Sequence, residues 1–331
     1  MQDSAGIKRQ NKSLIRSLLA AGQGYTKQQI AVQTGLSVAS CNTYLNEMEQ
    51  SGEVLGEKQK LRSVGRTAAV YRLNEEYESF VCLSFALEQG ERSLTIQVLS
   101  PTGQIRLRQV QRFDQLPLSR LREELGRVLA QFPNASQIVV GTPSIAEHGV
   151  IRHCDVPELE GEPLVSLLEQ AYGLPVSLAN DMYYKIYGYY RQEQMPDQTI
   201  TLVNYPAGVL PGTATICNGT VLTGRNLFAG MVGFLDYGMS REEQIRKMHR
   251  PTAEPLMIQA VIALISILNP HRLLFTGDLI RQEDLERIRT ACRKCIPEEY
   301  MPDFGYIPDV EGYYRLGMYW TARNRTTEGK E

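Results

Sequence analysis

Val38, Ala39, Asn42 and Thr43 recur at the spacing that puts side chains on one face of a helix, and none of them is large. Such a face can approach DNA base pairs closely. The amide and hydroxyl hydrogen-bond with base edges, and the small apolar groups meet thymine methyls. Lys27 lies upstream, and Arg62 and Arg66 lie downstream in a polar stretch suited to phosphates or a minor groove. Elsewhere the candidate chemistry is thinner. Cys292-Arg293-Lys294-Cys295 is one Cys-x-x-Cys without a second pair, so a structural or incidental role is expected rather than metal or redox use. His148, His153 and Cys154 lie close in sequence but lack a further ligand at suitable spacing, and read as loop residues.

The elements that must position the small polar face can be read around it. Ile7, Leu14, Ile15, Leu18 and Leu19 have helical spacing, and Gly22 and Gly24 stop that helix. Thr26-Lys27-Gln28-Gln29 has the Thr-x-x-Gln form of a capping box, opening a second helix with Ile30 inward. Thr34-Gly35-Leu36-Ser37 is a short turn with Ser37 as the next N-cap. The third helix turns Cys41, Tyr44, Leu45 and Met48 inward and leaves Asn46 outward with the four residues above, until Gly52 ends it. Val54-Leu55 and residues 69–73 are expected strands around a basic loop over 56–67. Helix, turn, helix and wing together predict a winged helix-turn-helix that reads double-stranded DNA. Its expected contacts are Thr26, Lys27, Ser37, Val38, Ala39, Asn42, Thr43, Arg62 and Arg66. The plainer alternative is a helical interaction module with a solvated basic face.

Charge supports a polyanion partner for this head. Residues 1–73 carry ten basic and five acidic residues, a net +5, so the rest of the chain carries −7 of the overall −2. The whole has 331 residues, too many for one growing core. No run approaches the roughly 18 apolar residues of a spanning helix, the start is not a signal peptide, and six cysteines are too sparse for a disulfide scaffold. A cytoplasmic protein with no membrane contact is expected.

After residue 75 the pattern becomes α/β. Strand-like runs at 80–85, 94–99 and 105–110 precede a helix at 118–132, a strand at 138–140, a helix at 163–172, a strand at 174–179 and a helix at 181–191. The order then returns: strands at 199–203, 213–217 and 220–222, a helix at 255–268, a strand at 273–275 and a helix at 283–292. This predicts two related lobes with a cleft between them. The expected division is 1–75 for the head, 76–195 plus 309–331 for the first lobe, and 196–308 for the second lobe with an oligomerisation surface. Tyr183, Tyr184, Tyr187, Tyr189 and Tyr190 crowd one helix, as core or dimer surface or, alternatively, as a platform for a sugar ring.

Several fragments, in order, carry a resemblance: Gly65-Arg66 in the wing, Gly141-Thr142-Pro143, and Gly173-Leu174-Pro175-Val176 before Asn180-Asp181. Asn218-Gly219, Ala229-Gly230-x-x-Gly233 and Leu268-Asn269-Pro270 before Leu273-Leu274-Phe275-Thr276-Gly277 complete it. The chain resembles the ROK family (repressors, open reading frames and sugar kinases) in its transcription-regulator branch, of the N-acetylglucosamine- and xylose-repressor type. The resemblance implies a duplicated actin-like, ribonuclease-H-like α/β body, a homodimer or tetramer, and a body that senses a sugar or sugar phosphate.

The departures from that family shape the expected function. ATP-using members carry Asp-x-Gly-Gly-Thr after the first body strand, where this chain has Leu83-Ser84-Phe85-Ala86-Leu87-Glu88. Their second phosphate loop is Gly-Thr-Gly-rich. Here it is 206–212, with Pro206 and Pro211 removing amide donors. Their sugar-gripping Glu and His are replaced by Met231 and Phe234. Asn180 and Asp181, the latter matching the kinases' general base, remain as candidate ligand contacts or as an ordinary helix cap. The zinc cluster is missing, since 235–250 has no cysteine and only His249 offers nitrogen. The expectation is a DNA-binding repressor, not an enzyme, with no cofactor and no metal. Its effector pocket, near Asn180, Asp181, Met231 and Phe234, is degenerate or retuned towards a less polar ligand. A sugar kinase and a conventional sugar-sensing repressor are the alternatives.

Overall fold

The computed structural model describes residues 4–60, 67–88, 91–152 and 156–329. The head begins with α1 (Ser4–Leu19), which buries Ile15 and Leu19. The short strand β1 (Tyr25–Thr26) leads into α2 (Lys27–Thr34), and the capping box is formed: Gln29 N–H donates to Thr26 Oγ1 and Thr26 N–H to Gln29 Oε1. Gly35 takes a left-handed φ of 72°, which a side chain resists. Ser37 then caps α3 (Val38–Gln50) by accepting from Ser40 N–H. Ile30, Cys41, Leu45 and Met48 join Ile15 and Leu19 in the head core. Each fully buried apolar side chain contributes roughly 1.5–3 kcal/mol.

The wing is longer than the sequence suggests. β2 (Val54–Lys60) and β3 (Thr67–Leu73) pair antiparallel from Val54↔Leu73 to Lys60↔Thr67, and β1 joins the other edge of β3. Residues 56–60 are therefore strand rather than loop. Beyond Val54 the strand is mostly exposed, so ladder hydrogen bonds hold it and no alternation of apolar residues announces it. Arg62 and Arg66 lie outside the described residues.

Two five-stranded sheets form the body. The first contains β4 (Ser79–Glu88), β5 (Glu91–Leu99), β6 (Ile105–Phe113) and β7 (Ala135–Thr142). After the small hairpin β8 (Ile145–Glu147) and β9 (Val150–Arg152), β10 (Val176–Asn180) completes it in the order β10-β7-β4-β5-β6. The second contains β11 (Ile200–Asn204), β12 (Gly212–Cys217), β13 (Thr220–Val221), β14 (Arg272–Thr276) and β15 (Asp303–Tyr306), ordered β13-β12-β11-β14-β15. In both, the first three strands form an antiparallel meander, and the fourth and fifth add in parallel beside the first. The shared topology is the duplication expected from the repeated pattern.

Helices cover both sheets. Leu121, Leu125 and Val128 of α4 (Leu118–Gln131) and Leu164 and Leu168 of α5 (Leu164–Tyr172) seal one face of the first sheet. On the second lobe, α8 (Glu254–Leu268) and α9 (Leu285–Cys292) do the same, with α7 (Arg241–Lys247) at its rim. Between the lobes run α6 (Asp181–Glu193) and the last helix, α10 (Glu311–Gly329). Met182, Tyr183, Ile186 and Tyr189 of α6 pack on the second sheet, whereas Tyr314, Met318, Tyr319 and Ala322 of α10 pack on the first. The two helices meet at Gly188 and Gly317. A β-carbon at either would overlap the carbonyl oxygen of Tyr313 or Tyr184 on the other. The tyrosine-rich helix is thus mostly core: Tyr183, Tyr184 and Tyr189 are buried.

α10 also ties the body to the head. Trp320 packs against the head core, and the Arg191 guanidinium of α6 lies 3.8 Å from the centre of its ring. Tyr319 Oη donates to the Pro101 carbonyl at 2.7 Å, and so does Arg323 at 2.8 Å. Among the described residues, no helix is long and apolar enough to cross a membrane.

Candidate nucleic-acid interface and interlobe cleft

Because Ser37 starts α3 and Cys41, Leu45 and Met48 hold it inward, Val38, Ala39, Asn42, Thr43 and Asn46 are all exposed on its outer side. Thr43 Oγ1 donates to the Ala39 carbonyl at 3.2 Å, which leaves its methyl and an acceptor lone pair facing out. Thr26 and Ser37 sit at the starts of the two helices with their side-chain oxygens engaged in capping. Lys27 reaches across to this face. Its Nζ donates to Asn42 Oδ1 at 2.5 Å, lies 3.5 Å from Asn46 Oδ1, and stands 5.4 Å from the centre of the Tyr71 ring. The charge count overstates what the head offers a polyanion. Lys8 and Lys12 both pair with Glu47, whose carboxyl they hold below its ordinary range, and Arg16 pairs with Glu53.

A cleft of about 700 Å³ opens at the carboxyl ends of β7, β10, β11 and β14, and it brings Asn180, Asp181, Met231 and Phe234 together. Asn180 caps α6 by accepting from Met182 N–H at 3.0 Å, and it donates to the Ser144 carbonyl at 3.1 Å. Both ends of its amide are engaged. Asp181 is paired with Lys185 at 2.5 Å, and the two side chains are only 15% and 11% exposed. Phe234 is half exposed, packs with its ring tilted against that of Phe228 at 5.0 Å between centres, and carries the Arg241 guanidinium 4.1 Å from its ring centre. Ser144 and Tyr314 also line the cleft, and the hydroxyl oxygen of each is buried without a hydrogen-bond partner. Burial pushes the Tyr314 hydroxyl well above the ordinary tyrosine range, so it stays protonated.

The cleft fits a phosphate chain poorly. The first body strands stay paired out to Glu88↔Glu91, so the stretch from Leu83 is straight strand rather than a cradle of free amides. In the second segment, Pro206 and Pro211 have no N–H. Ala207 N–H donates to the Asp278 carboxylate at 3.2 Å, and Gly208 N–H to the Met248 carbonyl at 2.8 Å. A carboxylate thus sits where an anionic phosphate would need amide donors. Among the described residues, no group of three His, Cys, Asp or Glu side chains is placed to hold a metal ion. Cys292 is buried, Cys295 exposed, and His153 and Cys154 lie outside the described residues.

Among the cleft residues that escape the sequence reading are Lys185 and Arg241. Lys185 has a signal, since it stands four residues after Asp181 on one helix. Arg241 has none, because α7 is short and only the tertiary fold brings it over Phe234.

A winged-helix head on a duplicated two-lobed body defines a class of DNA-binding regulator. A family model described as the ROK family matches residues 84–245, and one described as winged helix-turn-helix DNA-binding matches residues 11–52. No curated protein matches the chain. A solved ROK family transcriptional regulator, a homolog of the E. coli MLC protein, is similar over 98% of this chain and 100% of its own, at 16% identity and a TM-score of 0.73. The ROK hexokinase of Thermus thermophilus aligns with 76% of this chain and 100% of its own, at 18% identity and a TM-score of 0.58. A ROK glucokinase from Streptomyces griseus, solved with glucose and AMPPNP, aligns with 74% and 99% at 14% identity and a TM-score of 0.53. The chain carries a ROK family domain behind a winged helix-turn-helix DNA-binding domain, in the fold order of that solved regulator.

Proposed function

We propose that the protein is a homo-oligomeric transcriptional repressor that reads DNA through Val38, Ala39, Asn42 and Thr43, with Lys27 and the wing arginines Arg62 and Arg66 in support. Its interlobe cleft serves as a retuned effector pocket. The observation that carries this reading is the outer face of α3, small, polar and exposed on a helix held by a buried core. Ala39→Glu tests it by placing a carboxylate against the phosphate-lined groove. Binding to duplex DNA should be lost while the melting temperature is unchanged, and unaltered DNA affinity would remove the assignment.

Phosphoryl transfer has no place in this reading. Asp181 is held by Lys185, the first phosphate segment is extended strand, and the amides of Ala207 and Gly208 in the second are already engaged, so a coupled assay should show no sugar-dependent ATP turnover. The effector reading rests on the four residues gathered in the cleft. Met231 and Phe234 offer a thioether and a ring where a sugar hydroxyl needs partners, and each unpaired hydroxyl costs about 1–3 kcal/mol. Glucose and N-acetylglucosamine should therefore bind weakly or not at all. Micromolar binding by calorimetry, abolished by Asp181→Ala, would restore an ordinary sugar sensor.

A further inference from the structure

Asn42 does not face the groove as a free amide. Only its oxygen can accept an ammonium proton, so the bond from Lys27 Nζ fixes the side chain with Oδ1 turned to Lys27 and the Nδ2 hydrogens left over. Asn46 Oδ1, 3.5 Å away, and the Tyr71 ring hold the lysine from two other elements, α3 and the wing. An unconstrained asparagine reads adenine with two bonds, donating to N7 and accepting from the N6 amino group. Here a positive charge lies beside the one oxygen that would have to accept, and it repels the amino hydrogens. What remains is a cluster of donors: the Nδ2 hydrogens and the free ammonium hydrogen of Lys27. In the major groove, guanine offers two adjacent acceptors, O6 and N7, to such a cluster.

We propose that Lys27 sets the base preference of the recognition helix, turning Asn42 from an adenine reader into part of a guanine reader. The inference rests on the DNA-reading face described above, and its test separates the two. Selection from a random-sequence duplex pool with the full chain should yield guanine at one position of each half-site. The same selection with Lys27→Met should yield adenine there, with neighbouring positions unchanged. Replacing that guanine by 7-deazaguanine, which lacks the N7 acceptor, should weaken the unaltered protein roughly tenfold. The Lys27→Met protein should respond by less than about threefold. The same base at that position in both pools would overturn the proposal, as would uniform weakening by Lys27→Met across all sequences, the mark of a phosphate contact. Failure of the unaltered protein to enrich any sequence would instead remove the reading face itself, and this inference with it.

Discussion

Lys185 fills with its own charge the place where a ligand cation would have to meet Asp181. The pair is little exposed, so removing one partner strands the other in a poorly solvated site. Lys185→Met should cost about 3 kcal/mol in urea denaturation. The double change with Asp181→Asn should recover most of that loss, and equal losses in both would show that no such pairing matters. The thiols give a second prediction. Burial pushes the Cys82 thiol up to about 12 and that of Cys292 up to about 11, against about 8.5 for an unhindered thiol. The unfolded chain releases these protons first. Their contribution is therefore intact below about pH 8.5 and declines as the pH rises from there through the folded values. Thermal melts should show a fall in stability above pH 8.5 that shrinks in Cys82→Ala. At pH 8, peptide mapping should find Cys217 and Cys295 alkylated quickly, and Cys41, Cys82 and Cys292 only on unfolding. The outward face of α3 was legible in the sequence because helical period and capping fix which side chains face out. The Lys27–Asn42 bond was not, since it joins residues 15 apart in sequence across two helices.

At the level of elements, the meeting of α6 and α10 depends on two positions without side chains. Gly188→Ala or Gly317→Ala would set a methyl against backbone, which cannot rotate away as a side chain can. A loss of about 3 kcal/mol or more is expected for either, read by urea denaturation, at the upper end of overpacking costs. A loss below about 1 kcal/mol would mean that the helices can slide apart. Strands and helices with strong apolar periods, such as α4, β4 and α8, are plain in the sequence. Three kinds of element are hidden. β2 runs on past Leu55 through mostly exposed residues with no apolar alternation, β15 is a four-residue edge strand, and α10 mixes tyrosines, glycines and charges because it contacts a sheet, a helix and the head at once.

Across the whole molecule, α6 and α10 both begin at the cleft, at Asp181 and at Glu311, and both reach the head contact, through Arg191 and Trp320. Trp320→Ala should loosen that contact at a cost of about 2–4 kcal/mol. Calorimetry would then show separate head and body transitions where the unaltered protein melts as one, and a single unshifted transition would mean that the two units are not joined there. Trp320 is also the only tryptophan in the 331 residues. The indole has two guanidinium groups near its ring, those of Arg191 and Arg323, the Tyr319 ring against its edge, and the head core on another side. Every movement of the head on the body alters the polarity and charge around this one fluorophore. Its emission colour and brightness therefore report, without any attached dye, how the head is seated as DNA or a cleft ligand is titrated in.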